Sequence, residues 1–209
     1  MFMGRILILS PHTDDGELGC GASIAKWIAG GSEVAYLAFS SCRQSLPPGL
    51  PHDTLVGECR EATAALGMGD VRILDFEVRR FPQFRQEILE ELVALSRSWQ
   101  PQTVLLPAAG DTHQDHRVIY EEGCRAFRFA NIIGYELPWN HTSFSPNYFE
   151  HLSGDHIEKK KAALKAYRSQ SHRNYMKDDF TTSLARVRGV QANTEWAEAF
   201  EIYRYNGHH

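Results

Sequence analysis

The sequence of 209 residues contains no long hydrophobic segment. Its longest apolar runs, "RILILS" and "TVLLP", are far shorter than the roughly 20 residues that a membrane-spanning helix needs. The N-terminal run is followed at once by polar and charged residues and lacks a cleavage-site pattern, which argues against a signal peptide. We therefore expect neither a membrane span nor a secretory leader.

Cysteine and net charge are also sparse. The chain has four cysteines and no C-x-x-C pair, which argues against a structural zinc knuckle or a disulfide framework and favours the reducing cytoplasm. A net charge of −4 is typical of an ordinary globular protein and not of a nucleic-acid binder. The length predicts a single domain over 1–209, with a core over 1–137 and a C-terminal elaboration over 138–209. The sequence is compatible with a homo-oligomer.

The hydrophobic pattern predicts strands that alternate with helices. We expect strands at 5–10, 33–40, 71–76, 103–107 and 131–137, and helices at 19–30, 54–66, 83–99 and 115–129. This alternation predicts an α/β fold, a Rossmann-like three-layer sandwich with a mostly parallel sheet. Beyond it, 138–152 is rich in turn formers and aromatics, 155–189 is predicted to be helical, and 195–204 is predicted to be a closing strand.

Polar side chains follow the first and fourth of these strands. His12 and Asp15 come after the first strand, and His113 and His116 come after the fourth. Ligands of parallel sheets bind outside the carboxyl ends of the strands, and residues at i and i+3 can share one face of a helical turn. Two imidazoles and one carboxylate, with a fourth position left to water, form the ligand set of a catalytic zinc.

Each segment by itself also has a plain structural interpretation. Asp14 or Asp15 could be a helix N-cap, and Asp115 could cap the helix after the fourth strand. Two such segments at strand ends favour the metal site. A phosphate-binding loop at "GELGCGA" is disfavoured because its glycines do not follow the G-x-G-x-x-G order and the preceding acidic residues would repel phosphate. The glycines instead suggest close packing of a helix.

Several segments resemble the LmbE-like, or PIG-L, family of zinc-dependent de-N-acetylases. "SPHTDDGELGCGA" is similar to the family's first motif, roughly A-H-P-D-D-E followed by a G-G pair, and "DTHQDH" is similar to its second, H-P-D-H. "GECREATAALGM", "KAYRSQ" and "WAEAFEIYR" extend the resemblance over nearly the whole chain. More narrowly, "YELPWN" and "YRSQSHRNY" are similar to a branch linked with bacterial surface-glycan sugar modification.

The resemblance implies a role for each motif residue. The implied zinc ligands are His12, Asp15 and His116, with iron(II) as an alternative metal because imidazole and carboxylate accept both. Asp14 is the implied general base, and His113 is the second catalytic residue, which donates either to the oxyanion or to the amine. Asp115 is the implied orienting partner of His113. The departures from the family pattern are Thr13, Gly16, Ala22 and Gln114, and the glutamate missing at Gly16 is expected to be replaced by Glu17.

The implied activity is removal of the acetyl group from an N-acetylated amino sugar of the N-acetylglucosamine type, in a nucleotide- or lipid-linked glycan precursor. The alternatives are the same reaction on a small N-acetylglucosaminyl conjugate of low-molecular-weight thiol biosynthesis, and a non-catalytic sugar- or nucleotide-binding module. A phosphoesterase is disfavoured because such enzymes usually bridge two metals with more carboxylates.

Residues near the strand ends are candidate substrate contacts. Trp139 could stack on a sugar face or simply pack, and Arg80 could pair with a phosphate or carboxylate or simply face solvent. The full set comprises Arg79, Arg80, Glu136, Trp139, Asn140 and Gln170.

Overall fold

The computed structural model describes residues 4–206. The strands of this part of the chain are β1 (Arg5–Ser10), β2 (Glu33–Ala38), β3 (Asp70–Ile73), β4 (Thr103–Pro107), β5 (Asn131–Tyr135), β6 (Tyr148–Leu152) and β7 (Trp196–Arg204). The α-helices are α1 (Asp15–Ala29), α2 (Thr54–Ala65), α3 (Arg85–Trp99), α4 (Gln114–Ala126), α5 (Gly154–Lys165) and α6 (Asp178–Gln191). None of the helices within 4–206 is long and apolar enough to cross a membrane.

The seven strands form one mixed sheet in the order β3-β2-β1-β4-β5-β7-β6. The first five are parallel, and β7 runs antiparallel to both of its neighbours. The chain places β2 and β3 on one side of β1 and then crosses to place β4 on the other side. The strand order therefore reverses between β1 and β4. In open α/β sheets this reversal leaves a crevice at the carboxyl ends of the two strands.

Both faces of the sheet are covered. Alternate residues of β1 point to opposite faces, so that Ile6 and Ile8 pack in one apolar cluster and Leu7 and Leu9 in another. The first cluster includes side chains of α1, α2 and α5, and the second includes side chains of α3 and α4. The predicted α/β three-layer sandwich with a mostly parallel sheet is therefore confirmed.

Three details differ from the sequence-based expectations, the first being that 166–177, inside the stretch predicted to be helical, contains only two short 3₁₀ turns between α5 and α6. Helix α1 was expected from residue 19 but begins at Asp15, because its first turn carries polar residues instead of the apolar pattern that marks a helix. The 138–152 segment contains β6, which was not predicted. This strand pairs only with β7, so its conformation depends on a partner 44–52 residues later in the chain.

Candidate active site

The strand order brings the two polar segments together. Strands β1 and β4 are parallel neighbours, and the chain leaves β1 into α1 and leaves β4 through a loop into α4. Helices α1 and α4 cover opposite faces of the sheet, and both begin at its carboxyl edge. Residues 12–15 and 111–116 therefore meet at the topological crevice.

Three ligand atoms form a tight triangle at this point. His12 Nδ1 lies 3.0 Å from Asp15 Oδ2, His116 Nε2 lies 3.2 Å from the same oxygen, and the two nitrogens are 3.2 Å apart. Atoms that bind one metal tetrahedrally at about 2.1 Å lie about 3.4 Å from one another, and octahedral neighbours lie about 3.0 Å apart. The triangle has the dimensions of one face of a metal coordination sphere.

The outer nitrogens of both histidines are held by buried carboxylates. Asp115 Oδ2 lies 3.1 Å from His12 Nε2, and Asp111 Oδ2 lies 2.7 Å from His116 Nδ1. Ionised carboxylates only accept hydrogen bonds, so these two ring nitrogens carry the protons. When the two rings are neutral, their inner nitrogens present lone pairs to each other and to the Asp15 carboxylate, so a positive charge shared among the three atoms, a proton or a metal ion, stabilises the cluster.

Electrostatics at the triangle also favour a bound cation. Burial by itself lowers the pKa of both histidines, but the carboxylates around them overcome it and raise the pKa of His12 to about 9 and that of His116 to about 10. Although burial opposes it, the neighbouring His116 and His12 hold the pKa of Asp15 well below its usual range. The residues present fit a divalent metal ion bound by two imidazoles and a carboxylate.

Asp14 and His113 flank the triangle without belonging to it. Asp14 occupies the N-cap position of α1 but makes no capping hydrogen bond, and its side chain lines the cleft. Burial, followed by the adjacent Asp15 charge, raises the pKa of Asp14 to about 6. The ring centroid of His113 lies 4.9 Å from that of His12 and 4.5 Å from that of His116. One ring nitrogen of His113 lies within 4.8 Å of a ring nitrogen of each of these two histidines.

The Asp115 carboxylate was expected to orient His113, but it forms no hydrogen bond or ion pair with that ring in the described structure. The Asp115 carboxylate contacts His12, and it also accepts the backbone N–H groups of Arg79 at 2.5 Å and Phe81 at 3.2 Å. His113 is instead contacted by the Asp115 backbone amide, which donates to its Nδ1 at 3.2 Å. His113, not Asp115, is therefore the side-chain cap of α4.

This cap bond fixes the tautomer of His113. Because Nδ1 accepts a hydrogen bond, the proton of the neutral ring lies on Nε2. Burial and the neighbouring His116 and His12 lower the pKa of His113 to about 4, so that the ring is neutral near pH 7. The resulting side chain is a neutral N–H donor beside the metal triangle.

The triangle opens into a cleft of about 310 Å³, within the range of small-molecule sites. Four of the six candidate substrate contacts line it, among them Trp139, Asn140 and Gln170. Arg79 also lines the cleft, whereas Arg80 bonds Glu77 and Gln83 in its own loop and does not. Glu136 is buried outside the cleft and ion-paired with Arg188. The structure therefore separates Arg80 and Glu136 from the cleft.

One face of Trp139 is already covered. Its ring is stacked on Tyr175 at a centroid distance of 4.2 Å and an angle of 11°, and Phe180 contacts it edge-on. Packing against Tyr175 therefore accounts for this face of the Trp139 ring, and a sugar could stack only on the opposite face.

Sequence inspection assigned no role to Asp111, Arg173 or Tyr175. Asp111 bonds His116 and accepts the backbone N–H of His113 at 2.8 Å, so it links both histidines of the second motif. Its place in "DTHQDH" was a signal that could have identified it. Arg173 and Tyr175 line the cleft from the segment after α5. Both lie in "YRSQSHRNY", so that stretch was a signal that could have identified them.

Glu17 is linked to the first motif through two tyrosine hydroxyl groups. Its buried carboxyl group is hydrogen-bonded by Tyr36 and, at 2.7 Å, by Tyr167. Both hydroxyls also contact the Thr13 carbonyl, at 3.1 and 2.6 Å. A side chain at Gly16 would collide with the Tyr36 ring, 2.5 Å from an ideal Cβ. The glycine and Glu17 together make room for this network.

Comparison with known proteins gives three findings. The family model "PIG-L: GlcNAc-PI de-N-acetylase" matches residues 7–127. The uncharacterized deacetylase YaiS of Escherichia coli K12 is 29% identical over 170 residues, covering 78% of this chain and 90% of YaiS. The diacetylchitobiose deacetylase of Thermococcus kodakarensis is 26% identical over 188 residues, covering 79% of this chain and 70% of that enzyme.

The fold itself occurs with other chemistry. The crystal structure of GalB, the 4-carboxy-2-hydroxymuconate hydratase of Pseudomonas putida KT2440, superposes with a TM-score of 0.81 at 20% identity and covers 99% of each chain. This similarity concerns the fold alone, so any assignment of activity depends on the residues of the site.

Proposed function

Because the chain belongs to the PIG-L family of de-N-acetylases, we propose that it is a zinc-dependent hydrolase that removes the acetyl group from an N-acetylglucosamine-type amino sugar. The observation that carries the proposal is the triangle of His12 Nδ1, Asp15 Oδ2 and His116 Nε2, with Asp14 and His113 beside it. When bound there, zinc supplies Lewis acidity toward the acetyl carbonyl and makes water more acidic.

Asp14 is the proposed general base. It faces the cleft with no hydrogen-bonded cap to satisfy, so its carboxylate is free to accept a proton from the attacking water. The same group can return that proton to the departing nitrogen, which makes the amine a better leaving group.

His113 is the proposed oxyanion donor. Its Nδ1 is occupied by the Asp115 amide, so a neutral ring presents Nε2–H to the cleft. A neutral donor can stabilise negative charge on the former carbonyl oxygen without losing its proton. This geometry favours the oxyanion role over protonation of the amine.

The cleft also favours an anionic substrate. Arg79 and Arg173 line it, and neither forms an ion pair with a carboxylate within the described residues. Arg173 contacts Gln170 Oε1 at 2.7 Å, and Arg79 reaches only the Gln44 carbonyl at 3.5 Å. Guanidinium groups are suited to phosphate. We therefore favour a phosphate-bearing, nucleotide- or lipid-linked sugar over a neutral glucosaminyl conjugate.

The test is acetate release from matched substrates by the zinc-loaded protein. UDP-N-acetylglucosamine and N-acetylglucosamine 1-phosphate represent the phosphate-bearing class, and N-acetylglucosaminyl-inositol and diacetylchitobiose represent the neutral class. We expect release from the phosphate-bearing class, with an Arg173→Gln variant raising KM for these substrates only. Zinc binding without acetate release from any of them would favour a non-catalytic binding module.

A further inference from the structure

Helix α1 is interrupted one turn after the metal motif. Cys20 leaves helical geometry, with φ −146° and ψ 24°. In an unbroken helix the Leu18 carbonyl would accept the Ala22 amide. Sharp helix kinks often arise where a side chain enters this ladder of hydrogen bonds.

Two buried side chains from later in the chain stand between these backbone groups. Lys160 of α5 donates from Nζ to the Leu18 carbonyl at 2.6 Å. Glu198 of β7 accepts the Ala22 amide at 3.2 Å and the Ser23 amide at 2.7 Å. The two side chains pair with each other at 2.7 Å, and both residues are nearly inaccessible to solvent. This ion pair replaces the backbone bond at the kink.

The kink sets the direction of the turn that carries the site. The Leu18 amide donates to the Asp14 carbonyl at 3.0 Å, so Leu18, the residue whose carbonyl Lys160 holds, lies one helical turn from Asp14. Gly19 is pressed against the Tyr135 ring, and the Tyr135 hydroxyl bonds the Leu9 carbonyl of β1. The first turn of α1 can therefore lie close to the sheet while the rest of the helix takes another course.

We propose that Lys160 and Glu198 are positioning residues for the metal centre, because they hold the first turn of α1 at the angle that aims Asp15 at the metal and Asp14 at the cleft. This inference rests on the proposed metal-dependent function. Neither residue touches the cleft, so each acts through the α1 backbone. Substitution of a residue that holds a metal ligand in position typically lowers metal affinity by about 10–100-fold.

The matched control is Lys26, which also joins α1 to the β6–β7 side through an ion pair, with Glu150. Lys26 lies beyond the kink, near the end of the helix. Lys160→Met and Lys26→Met each remove one ammonium group from an ion pair that ties α1 to the β6–β7 side of the sheet, Lys160 by contact with the α1 backbone and Lys26 from α1 itself. Both should lower the melting temperature, but only Lys160→Met should affect the first turn.

The experiment measures the zinc dissociation constant by competition with a chromophoric chelator, together with melting temperature, kcat and KM. We expect Lys160→Met to weaken zinc binding by about tenfold and to change kcat more than it changes KM, with kcat reduced. Lys26→Met should leave the zinc affinity within about twofold of wild type. A double variant, Lys160→Met with Glu198→Gln, removes the lone buried charge. It should regain part of the melting temperature but not the zinc affinity.

Wild-type zinc affinity in the double variant would overturn the positioning role, as would equal zinc affinities for Lys160→Met and Lys26→Met. A wild-type chain that binds no zinc would instead overturn the proposed function, and the positioning role with it. The double variant keeps the test decisive if Lys160→Met does not fold.

Discussion

Asp14 and Asp15 are adjacent in the chain but face different surroundings. Asp15 Oδ2 contacts both metal-site histidines and also accepts the His12 backbone N–H at 2.8 Å. Asp14 makes no cap bond and faces the cleft. One carboxylate is thus committed to the metal position, and the other remains available for proton transfer.

Asp14→Asn should therefore retain zinc but lose turnover. An amide cannot accept the proton of water, and general bases typically contribute about 10²–10⁴-fold to rate. His116→Ala removes a corner of the ligand triangle and should lose the metal. Zinc content and acetate release measured on both variants test the division of roles, and loss of zinc in Asp14→Asn would contradict it.

Asp111→Asn tests the carboxylate that holds His116. An asparagine can still accept one hydrogen bond but lacks the negative charge that keeps the proton on His116 Nδ1. We expect zinc affinity to fall by about 10–100-fold. The zinc dissociation constant gives the answer, and the melting temperature of the zinc-free protein separates this effect from a loss of folding.

The meeting of His12, Asp15 and His116 could be predicted because they lie in two short motifs that follow neighbouring strands. The partner of Asp115 could not, because it depends on where the Arg79 and Phe81 amides lie, more than 30 positions earlier in the chain. Arg173 and Tyr175 likewise reach the cleft only through the path of the chain after α5.

Helix α1 approaches the sheet so closely that Gly19, like Gly16, has no room for a side chain. An ideal Cβ at Gly19 would lie 2.3 Å from the buried Tyr135 ring, whereas one at Gly57 in α2 would meet nothing within 4 Å. Gly19→Ala should destabilise the protein by about 1–3 kcal/mol through overpacking. Gly57→Ala should stabilise it by about 0.5–1 kcal/mol. Denaturant unfolding compares the two, and equal effects would contradict the close approach.

The contact between α1 and β6 should make stability depend on pH. Although burial opposes it, hydrogen bonds from Lys26, Tyr148 and Trp27 lower the pKa of Glu150. A carboxyl group whose pKa is lowered by folding stabilises the fold at pH values above its ordinary pKa, which is near 4.5 for glutamate. This contribution is lost as the pH falls through the pKa of the folded state. Glu150→Gln should thus be destabilising at pH 7 and progressively less so below pH 4.5.

The matched control is Glu61→Gln, which breaks an exposed pair with Arg168. Surface ion pairs contribute little, so this variant should unfold like the wild type at both pH values. Urea unfolding at pH 7 and pH 4 measures both variants. A Glu150→Gln penalty that did not shrink at low pH would show that its carboxylate charge is unimportant.

Among the elements, long periodic helices and buried parallel strands were predictable, and β6 was not. Among the parallel strands, β1, β2, β4 and β5 carry nearly continuous buried runs, which sequence patterns detect well. Strand β6 has a mixed burial pattern and gains its conformation only by pairing with β7. Its assignment therefore needed tertiary information.

At the scale of the whole molecule, a metal bound at the proposed site would couple distant parts of the chain. The proposed ligands come from the residues after β1 and after β4, about 100 positions apart, and they meet only in the folded sheet. A ligand that binds only the folded state stabilises it by about 2.7 kcal/mol at 100 times its Kd. We expect zinc to raise the melting temperature, and a chelator to reverse the rise.

His116→Ala is the control for this shift, because it lacks one ligand. Its melting temperature should not respond to zinc. A zinc-dependent rise of wild-type size in this variant would indicate binding elsewhere.

The position of β7 in the sheet has a consequence for the order of folding. This strand is made after β5 and β6 but lies between them, so β6 cannot join the sheet until β7 is in place. Pairing of strands that are distant in sequence is slow because a long loop must close first. Since Glu198 of β7 also contacts the kink of α1, a nascent chain can contain every proposed metal ligand before the first turn of α1 is held in place.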